Sequence, residues 1–384
     1  MGDLGFPEFV QAVRRWDESE RHALLRVLLV DGIGPVLARR LLAHFHHPQA
    51  ILKASEEALC QVPGIGRKLA HELRTQATAD RLERELQLCA REQVRILWAS
   101  DPDYPPELAA IPVPPLALWV RGQLLPRDRL AVAVVGSRAA TAYGTRQTER
   151  LAGNLASIGF TIVSGLARGI DASAHRAALR CQGRTIAVLA SGLHAIYPPE
   201  HLELAERIAE HGALLSENPM TRAPKSGLFP MRNRIISGLS LGVLVVEAAR
   251  RSGALITVSH ALEQGRDVFA VPGPVDSPLS QGCHQLIKDG AWLVETPADI
   301  FDVLRPQAAR LAKTLFGSPA RHPFESELND TDRRVLDALS RDALDCDQLT
   351  RRTGLPPHTL GASLTRLELR HFIRRLPGGR YQRC

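Results

Sequence analysis

The sequence lacks the features that are typical of secreted and membrane proteins. Its six cysteines are scattered without a Cys-x-x-Cys pair, which argues against a zinc module or a disulfide framework and suits a reducing compartment. Its longest apolar runs, such as Leu241 to Val246, are far too short to cross a membrane. The first residues, Met1 to Trp16, carry charges and lack the apolar core of a signal peptide. We therefore expect a cytoplasmic protein without a membrane partner.

Common catalytic signatures are also missing. The sequence contains no nucleophile elbow, no Walker lysine motif and no dinucleotide fingerprint followed by a ribose-binding acid. We expect no catalytic residues, no metal and no cofactor, and we interpret the chain as a binding protein.

Positive charge is concentrated at one end of the chain. The formal net charge is +7, and the segment from Arg351 onwards holds eight arginines against one acid, so the remainder is near neutral. Because these arginines are interleaved with a regular apolar pattern, they predict a folded module. Such a basic module is typical of a nucleic-acid partner or, less often, an acidic protein partner.

The length of 384 residues predicts several domains rather than one core. We divide the chain into a helical domain over residues 1–80, a proline-rich connector over 81–128, an α/β domain over 129–304, a basic linker over 305–325 and a C-terminal module over 326–384. The connector is expected to be extended, with one short strand at Leu116–Val120.

Two similar glycine turns, Val30–Pro35 and Val62–Arg67, lie in the first domain. Each precedes a predicted helix, Val36–Phe45 and Lys68–Thr75, as in a paired helix–hairpin–helix (SAM-like) domain, which grips a nucleic-acid backbone through its turns. A helical packing domain would explain the turns equally well. Asp31, within the first turn, would repel phosphate.

Strands and helices alternate through the α/β domain, which predicts a Rossmann-like, doubly wound parallel sheet. Such sheets bind ligands outside the carboxyl ends of their strands, where most of the polar motifs of this chain fall. The predicted strands are Ala131–Val135, Thr161–Val163, Thr185–Leu189, Ala213–Leu215, Val243–Val246 and Val268–Ala270. The predicted helices are Thr145–Ile158, Ala172–Arg180, Glu200–Glu210, Asn233–Leu239 and Ala254–Gln264.

The first of these strands breaks into Gly136, Ser137 and Arg138 before a helix. Such a turn aims backbone N–H groups and the positive end of a helix dipole at an anion. The planar, permanent charge of Arg138 suits phosphate. Comparable turns follow at Ser164-Gly165 and Ser252-Gly253, where Gly253 permits close backbone approach.

A second arginine-bearing turn runs from Phe229 to Arg234. We interpret Asn233 as a helix cap and expect one of Arg232 and Arg234 to point inward while the other binds the ligand. Phe229 either stacks on a base or packs in the core. Lys225 is expected to be an outlying phosphate contact.

Three polar residues of this domain stay open to more than one interpretation. Asp171 most simply caps the helix that follows it, although with His175, four residues on, it could form a metal or acid–base pair. Glu247 ends a buried strand, where it could act as a base or orient an arginine.

The C-terminal module has the element order of a winged helix. Predicted helices cover Asp332–Leu339, Leu344–Thr353 and His358–Arg370, and Asp345 is expected to cap the second. A hairpin with Gly378-Gly379 at its tip follows them.

The motifs of the α/β domain, taken in order, resemble those of the DNA-processing protein A (DprA/Smf) family. The residues that carry the resemblance are Gly136-Ser-Arg with Tyr143-Gly144, Ser164-Gly-Leu-Ala-x-Gly-Ile-Asp-x-x-Ala-His175, Gly192-Leu-x-x-x-Tyr-Pro198, Ser216-Glu, Phe229-Pro-x-Arg-Asn-Arg-Ile-Ile-Ser-Gly-Leu-Ser240, Val246-Glu-Ala, Ser252-Gly-x-Leu-Ile-Thr257, Val271-Pro-Gly273 and Leu286-Ile-x-x-Gly-Ala291.

The resemblance implies a non-catalytic protein that binds single-stranded DNA, protects incoming strands in natural transformation and loads a RecA-type recombinase. It also implies a homodimer formed through the Rossmann-like domain, for which Leu255–Val271 is our expected region, and a winged helix that contacts duplex DNA or a partner. The predicted DNA-binding residues are Gly136, Ser137, Arg138, Ser164, Gly165, Lys225, Phe229, Arg232, Asn233, Arg234, Ser252 and Gly253.

Two other functions are weighed against this one. Rossmann-like phosphoribohydrolases, which release the base from nucleoside monophosphates, place a glutamate near glycine turns much as Glu247 lies near Ser252-Gly253. This chain lacks their Pro-Gly-Gly-x-Gly-Thr run before the glutamate. A transcription regulator that binds one duplex sequence through the winged helix is the third interpretation.

Overall fold

The computed structural model describes residues 5–316, 328–339, 343–369, 372–376 and 379–383. Its N-terminal part is helical, and both predicted glycine turns lead into helices, which confirms the helix–hairpin–helix prediction. Within these described ranges the N-terminal helices are α1 Phe6–Arg15, α2 Glu18–Leu28, α3 Pro35–Phe45, α4 Pro48–Lys53, α5 Glu56–Cys60, α6 Arg67–Gln76 and α7 Ala79–Arg91.

The described residues that follow form a nine-stranded, mostly parallel sheet. Its spatial order is β1-β2-β6-β5-β4-β3-β7-β8-β9, in which β1 and β2 are antiparallel to their neighbours. The strands are β1 Val94–Trp98, β2 Ala117–Gly122, β3 Ala131–Gly136, β4 Thr161–Ser164, β5 Thr185–Leu189, β6 Ala213–Ser216, β7 Gly242–Val246, β8 Asp267–Ala270 and β9 Trp292–Leu293.

Helices cover both faces of this sheet, as a doubly wound α/β fold requires. They are α8 Pro106–Ala109, α9 Ala142–Ser157, α10 Ile170–Arg180, α11 Leu202–His211, α12 Leu228–Gly238, α13 Ala254–Glu263, α14 Gln281–Lys288 and α15 Pro297–Phe316. Short 3-10 turns occur at Pro126–Arg129 and Pro199–His201. The predicted fold class and all of its predicted strands are confirmed.

Alternation along the central strand β3 explains how the two faces are filled. Val132 and Val134 pack with α9 and α10, whereas Ala133 and Val135 belong to the core on the other face. Successive side chains of a strand point to opposite faces, so an unbroken apolar run such as β3 must be buried on both sides.

The connector expected over residues 81–128 is wrong except for its one predicted strand. The strand predicted at Leu116–Val120 is confirmed as β2, whose Trp119 is fully buried, but instead of an extended link the segment also supplies the end of α7 and the strand β1. The prolines interrupt the chain between β1 and β2, where they do not remove ladder hydrogen bonds.

The linker expected over 305–325 also differs, because residues 305–316 continue α15 despite Pro306. The remainder of that predicted linker lies outside the described residues.

The C-terminal module has the predicted winged-helix order. It contains α16 Asp330–Ala338, α17 Cys346–Thr353 and α18 Pro357–Leu369, followed by the hairpin β10 Ile373–Leu376 and β11 Arg380–Arg383. Asp345 caps α17 through a reciprocal capping box with Gln348, as predicted. Gly378 of the predicted hairpin tip lies outside the described residues. Among the described helices, none is both long and apolar enough to span a membrane.

Candidate nucleic-acid interface

A cleft of about 590 Å³ opens between the carboxyl ends of β3 and β7. The sheet reverses its winding direction at this point, which is where open α/β sheets bind their ligands. Eight of the twelve predicted DNA-binding residues line the cleft: Gly136, Ser137, Arg138, Phe229, Arg232, Asn233, Ser252 and Gly253.

Backbone hydrogen bonds on two sides fix the turn after β3, and they thereby fix the main chain from which the Arg138 side chain extends. The N–H of Ser137 donates to the carbonyl of Glu247 at 2.8 Å, and the carbonyl of Ser137 accepts from the N–H of Ile170 at 3.1 Å. A Cβ atom on Gly136 would lie 1.9 Å from the carbonyl oxygen of Val246, so only glycine allows the strands to approach this closely. The Arg138 side chain projects from this turn into solvent.

Phe229 stands at the rim of the cleft rather than in the core. Its ring is half-buried, and the guanidinium carbon of Arg138 lies 5.0 Å from the ring centroid. This distance is within the range of a cation–π contact. Of the two interpretations of Phe229, the accessible position is the one the structure supports.

Arg232 forms the buried wall of the same cleft. Its guanidinium donates to the carbonyl of Gly165 at 2.8 Å and also to that of Val188. Burial lowers the pKa of Arg232 to about 10, Asp171 opposes this change, and the charge of Arg138 adds to it. Because Arg138 and Arg232 repel each other, an anion that contacts both would be stabilised.

Ser164 and Gly165 lie beneath the cleft and do not line it, contrary to prediction. The buried Ser164 hydroxyl donates to the carbonyl of Val134 at 2.6 Å. A Cβ atom on Gly165 would lie 2.5 Å from the Arg232 guanidinium, so this glycine makes room for the arginine. Both residues support the site from within, since the Gly165 carbonyl also accepts a hydrogen bond from Arg232.

Of the two arginines, Arg234 is the one that points inward: it lies on the opposite side of α12 from Arg232 and, although it was also predicted to bind DNA, it does not line the cleft. It is buried and donates to both carboxylate oxygens of Glu217, at 2.6 and 2.8 Å, and to the carbonyl of Val113 at 2.9 Å. Residues two apart on a helix face different directions, so the Arg-Asn-Arg sequence cannot place both guanidinium groups in one cleft.

Asn233 does not cap a helix, because α12 begins at Leu228 rather than at Asn233. From inside the helix, its amide oxygen accepts from Arg232 at 3.2 Å, and its amide nitrogen donates to the carbonyl of Gly253 at 3.4 Å. Asn233 therefore joins the buried arginine to the first turn of α13.

Lys225 lies outside the cleft and contacts the N-terminal domain. Its Nζ atom is 3.2 Å from Oδ2 of Asp31, which also pairs with Arg222. Burial raises the pKa of Asp31, but Arg222, Lys225 and Arg81 together hold it below its ordinary value. The first glycine turn therefore faces α12. The negative charge of Asp31 in this turn is neutralised by Arg222 and Lys225 of the α/β domain and by Arg81 of α7.

The amino end of α9, where an anion was expected, already holds a carboxylate of the protein. Glu247 accepts from the Thr141 N–H at 2.9 Å and from the Thr141 hydroxyl, and Glu247 adopts a φ of 55°. The amino ends that open on the cleft belong to α12 and α13, which follow Gly227 and Gly253 without a side-chain cap. The first N–H groups of α13 already bind Ser252 and Gly253, so it is the dipoles of the two helices that favour an anion there.

Asp171 and His175 do not form a pair. Asp171 accepts from the N–H groups of Gly165 at 3.1 Å and Ala167 at 3.3 Å, while His175 Nδ1 lies 2.6 Å from the hydroxyl oxygen of Thr185. Burial raises the pKa of Asp171 and lowers that of His175 to about 3. Throughout the part of the chain that the structure describes, no group of three or more His, Cys, Asp and Glu side chains could hold a metal.

One rim residue, Tyr197, was not predicted as part of the site. Its ring centroid is 5.9 Å from that of Phe229. Its Tyr-Pro motif contributed to the family resemblance, but no polar or charged pattern around it indicated a binding role.

Family models match all three predicted modules of the chain. The model described as DNA recombination-mediator protein A matches residues 95–305, that of the DprA winged helix domain matches 319–379, and that of a SAM-like helix-hairpin-helix tandem matches 24–79.

Known proteins resemble the chain over most of its length. Protein Smf of Synechocystis sp. is 38% identical over 394 residues, which cover 95% of this chain and 99% of the relative. DNA processing protein A from Streptococcus pneumoniae, a solved structure, is 35% identical with a TM-score of 0.64 and covers 73% of this chain and 97% of its own. The structure of DNA processing protein A from Helicobacter pylori, described for its single-stranded DNA binding mode, is 30% identical with a TM-score of 0.50 and covers 55% and 95%. The chain therefore belongs to the DNA-processing protein A (DprA/Smf) family.

Proposed function

We propose that this protein binds single-stranded DNA in the cleft between β3 and β7. The observation that carries the proposal is the grouping of an exposed arginine, a buried arginine and an accessible aromatic ring in one cleft: Arg138, Arg232 and Phe229. Guanidinium groups bind phosphate oxygens, and an aromatic ring stacks on an unpaired base of any sequence. The single-stranded DNA binding described for the Helicobacter pylori relative supports the same assignment.

Titration of a fluorescein-labelled oligo(dT) and of a matched duplex, each at two ionic strengths, tests the proposal. We expect tighter binding of the single strand and a steep loss of affinity with salt, because phosphate binding releases counterions. Equal affinity for both DNA forms, or binding that salt does not weaken, would contradict it.

We further propose that the protein binds DNA without cutting a bond. Both carboxylate oxygens of Glu247 accept hydrogen bonds from Thr141, and Glu247 does not line the cleft. A glutamate held in this way is poorly placed to act as the base of a phosphoribohydrolase. Release of free base from nucleoside monophosphates, abolished by Glu247→Gln, would contradict this proposal.

The assembly that we propose is a cytoplasmic homodimer formed through the α/β domain. Large apolar side chains are exposed on α13, within the predicted Leu255–Val271 region, and on the edge strand β9; Leu262 is 65% exposed and Trp292 is 51% exposed. Exposed apolar groups of this size are typical of association surfaces. We expect Leu262→Glu to shift the mass measured by light scattering from dimer to monomer.

The remaining proposals concern partners. We propose that the bound strand is protected and passed to a RecA-type recombinase during transformation, and that the winged helix contacts duplex DNA. Exposed arginines on α17 and on the hairpin, among them Arg351, Arg352 and Arg374, support duplex binding. Nuclease digestion of the bound strand, and recombinase filament formation in the presence of the protein, test the first proposal. Duplex binding by the double variant Arg351→Gln/Arg352→Gln tests the second.

A further inference from the structure

The rim of the cleft carries an aromatic side chain that the proposed function does not yet use. Tyr197 meets Phe229 at a ring-centroid distance of 5.9 Å and an interplanar angle of 65°. Phe229 is in contact with this ring and also with Arg138, whereas Tyr197 keeps 38% of its surface exposed. Aromatic side chains usually bury their rings, so an exposed ring that is fixed against a binding cleft offers a face to a ligand.

A cation lies beside that ring. The Arg168 guanidinium is permanently charged, it donates to Glu200 at 2.5 Å, and half of its side chain is exposed. Its interactions with Glu200 and then with Tyr197 raise its pKa. The ion pair between Arg168 and Glu200 is open to solvent, and such pairs contribute little to stability. A phosphate group can therefore replace Glu200 as the partner of Arg168 at small cost.

The loop that carries Arg168 is fastened to the turn that carries Arg138. The next residue, Gly169, has a φ of 73°, and a Cβ atom there would lie 2.2 Å from the carbonyl oxygen of Ser137. Ile170 donates to that same carbonyl. The two arginines therefore extend from neighbouring turns whose spacing is fixed by backbone contacts.

We propose that Tyr197 and Arg168 form a second nucleotide subsite of the cleft, in which the ring stacks on a base and the guanidinium binds the adjoining phosphate. Each ring has a cation beside it, Arg138 beside Phe229 and Arg168 beside Tyr197. A single strand, in which every base adjoins a phosphate, matches two such pairs of a ring and a cation. The subsite rests on the proposed function, since it extends the same strand-binding cleft.

Binding of fluorescein-labelled oligo(dT) by the full chain tests the subsite through fluorescence anisotropy. We expect Tyr197→Leu to weaken binding about 10-fold, because one base-stacking contact is lost, and Tyr197→Phe to stay within about twofold of the native protein. Arg168→Gln should lower the slope of log affinity against log salt by about 0.7, as expected for one lost phosphate contact to a single strand. Arg180→Gln is the matched control, because Arg180 forms a similarly exposed ion pair with Glu149 at the far end of α10 and should leave both quantities unchanged.

Arg138→Gln, measured in parallel, separates the two proposals. If native protein shows no preference for single strands, or if Arg138→Gln binds like native protein, the proposed function fails. If Arg138→Gln weakens binding while Tyr197→Leu and Arg168→Gln both behave like native protein, the second subsite alone is refuted.

A measurement on the unaltered protein covers the case in which Tyr197→Leu does not fold. Photocrosslinking to an oligonucleotide containing 5-iododeoxyuridine, followed by peptide mapping, should give an adduct at Tyr197. Adducts at Phe229 without any at Tyr197 would overturn the second subsite.

Discussion

Replacing Arg138 and Arg234 separately by glutamine should show that one arginine contributes to DNA affinity and the other to the stability of the fold. The exposed Arg138 contacts the Phe229 ring at 5.0 Å, a contact that contributes only about 0.5–1 kcal/mol to stability at an exposed site. A hydrogen bond from a charged group to phosphate contributes about 1.5–3 kcal/mol. We therefore expect Arg138→Gln to lower single-strand affinity by about 10- to 150-fold with little change in the free energy of unfolding.

Arg234→Gln should give the opposite result. Arg234 and Glu217 are joined by two hydrogen bonds of 2.6 and 2.8 Å, and their side chains are only 9% and 18% exposed. Breaking a buried pair from one side costs about 3–5 kcal/mol, and the partial exposure of Glu217 places the loss near 3 kcal/mol. Affinity for DNA should stay within about twofold of native, because Arg234 lies outside the cleft.

Anisotropy titrations with oligo(dT) and urea unfolding followed by circular dichroism measure the two quantities on the same preparations. Equal losses of affinity for both variants, at a temperature where both are folded, would refute the division of roles between the two arginines. So would a variant of Arg138 that binds normally but unfolds at lower urea.

Three other predictions follow from single contacts. Gly165→Ala should weaken DNA binding, because a Cβ atom 2.5 Å from the Arg232 guanidinium must displace it; native affinity with a native urea midpoint would contradict this. Asp31→Asn should make the free energy of unfolding depend less on pH in acid. The pKa of Asp31 in the folded protein is below its ordinary value of 3.8, so the ionised carboxylate stabilises the fold at pH values above 3.8. This stabilisation is lost as the pH falls through the lowered pKa. Urea midpoints from pH 5 down to pH 3 should therefore fall more for native protein than for the variant. Asp332→Ala should destabilise the winged helix by about 1–3 kcal/mol, because the buried Ser363 hydroxyl loses its acceptor while the half-exposed Arg366 can be solvated, and limited proteolysis of the full chain should then cut the C-terminal module first.

The sheet was predictable where its strands are short apolar runs between glycine turns. β3, β5 and β7 are buried on both faces, so their composition alone identifies them. β1 was missed because the prolines that follow it suggested an extended segment, and β2 was predicted as a short strand without its place in the sheet. Only the tertiary pairing of β2 with β6 reveals that this segment completes the sheet.

The cleft was predictable in position but only partly in its residues. Glycine turns after β3 and β7 indicated the correct sheet edge, and Arg138 lies there as expected. Arg234 was assigned to the cleft because the start of α12 was placed too late in the chain. Pro230 lies in the first turn of the helix, which begins at Leu228. The position of this start decides which face of the helix, and so which arginine, is turned towards the ligand. Lys225 was misplaced because its partner, Asp31, is nearly two hundred residues away in sequence.

The carboxylate at the amino end of α9 has a consequence for ligand choice. In mononucleotide-binding sheets the first helix after the central strand receives a phosphate, but here Glu247 fills that place from within the chain. A free nucleotide would have to expel a buried negative charge before it could occupy the conventional pocket. We therefore expect this position to reject the phosphates of ATP and similar metabolites, whereas the neighbouring cleft stays open to a longer polyanion.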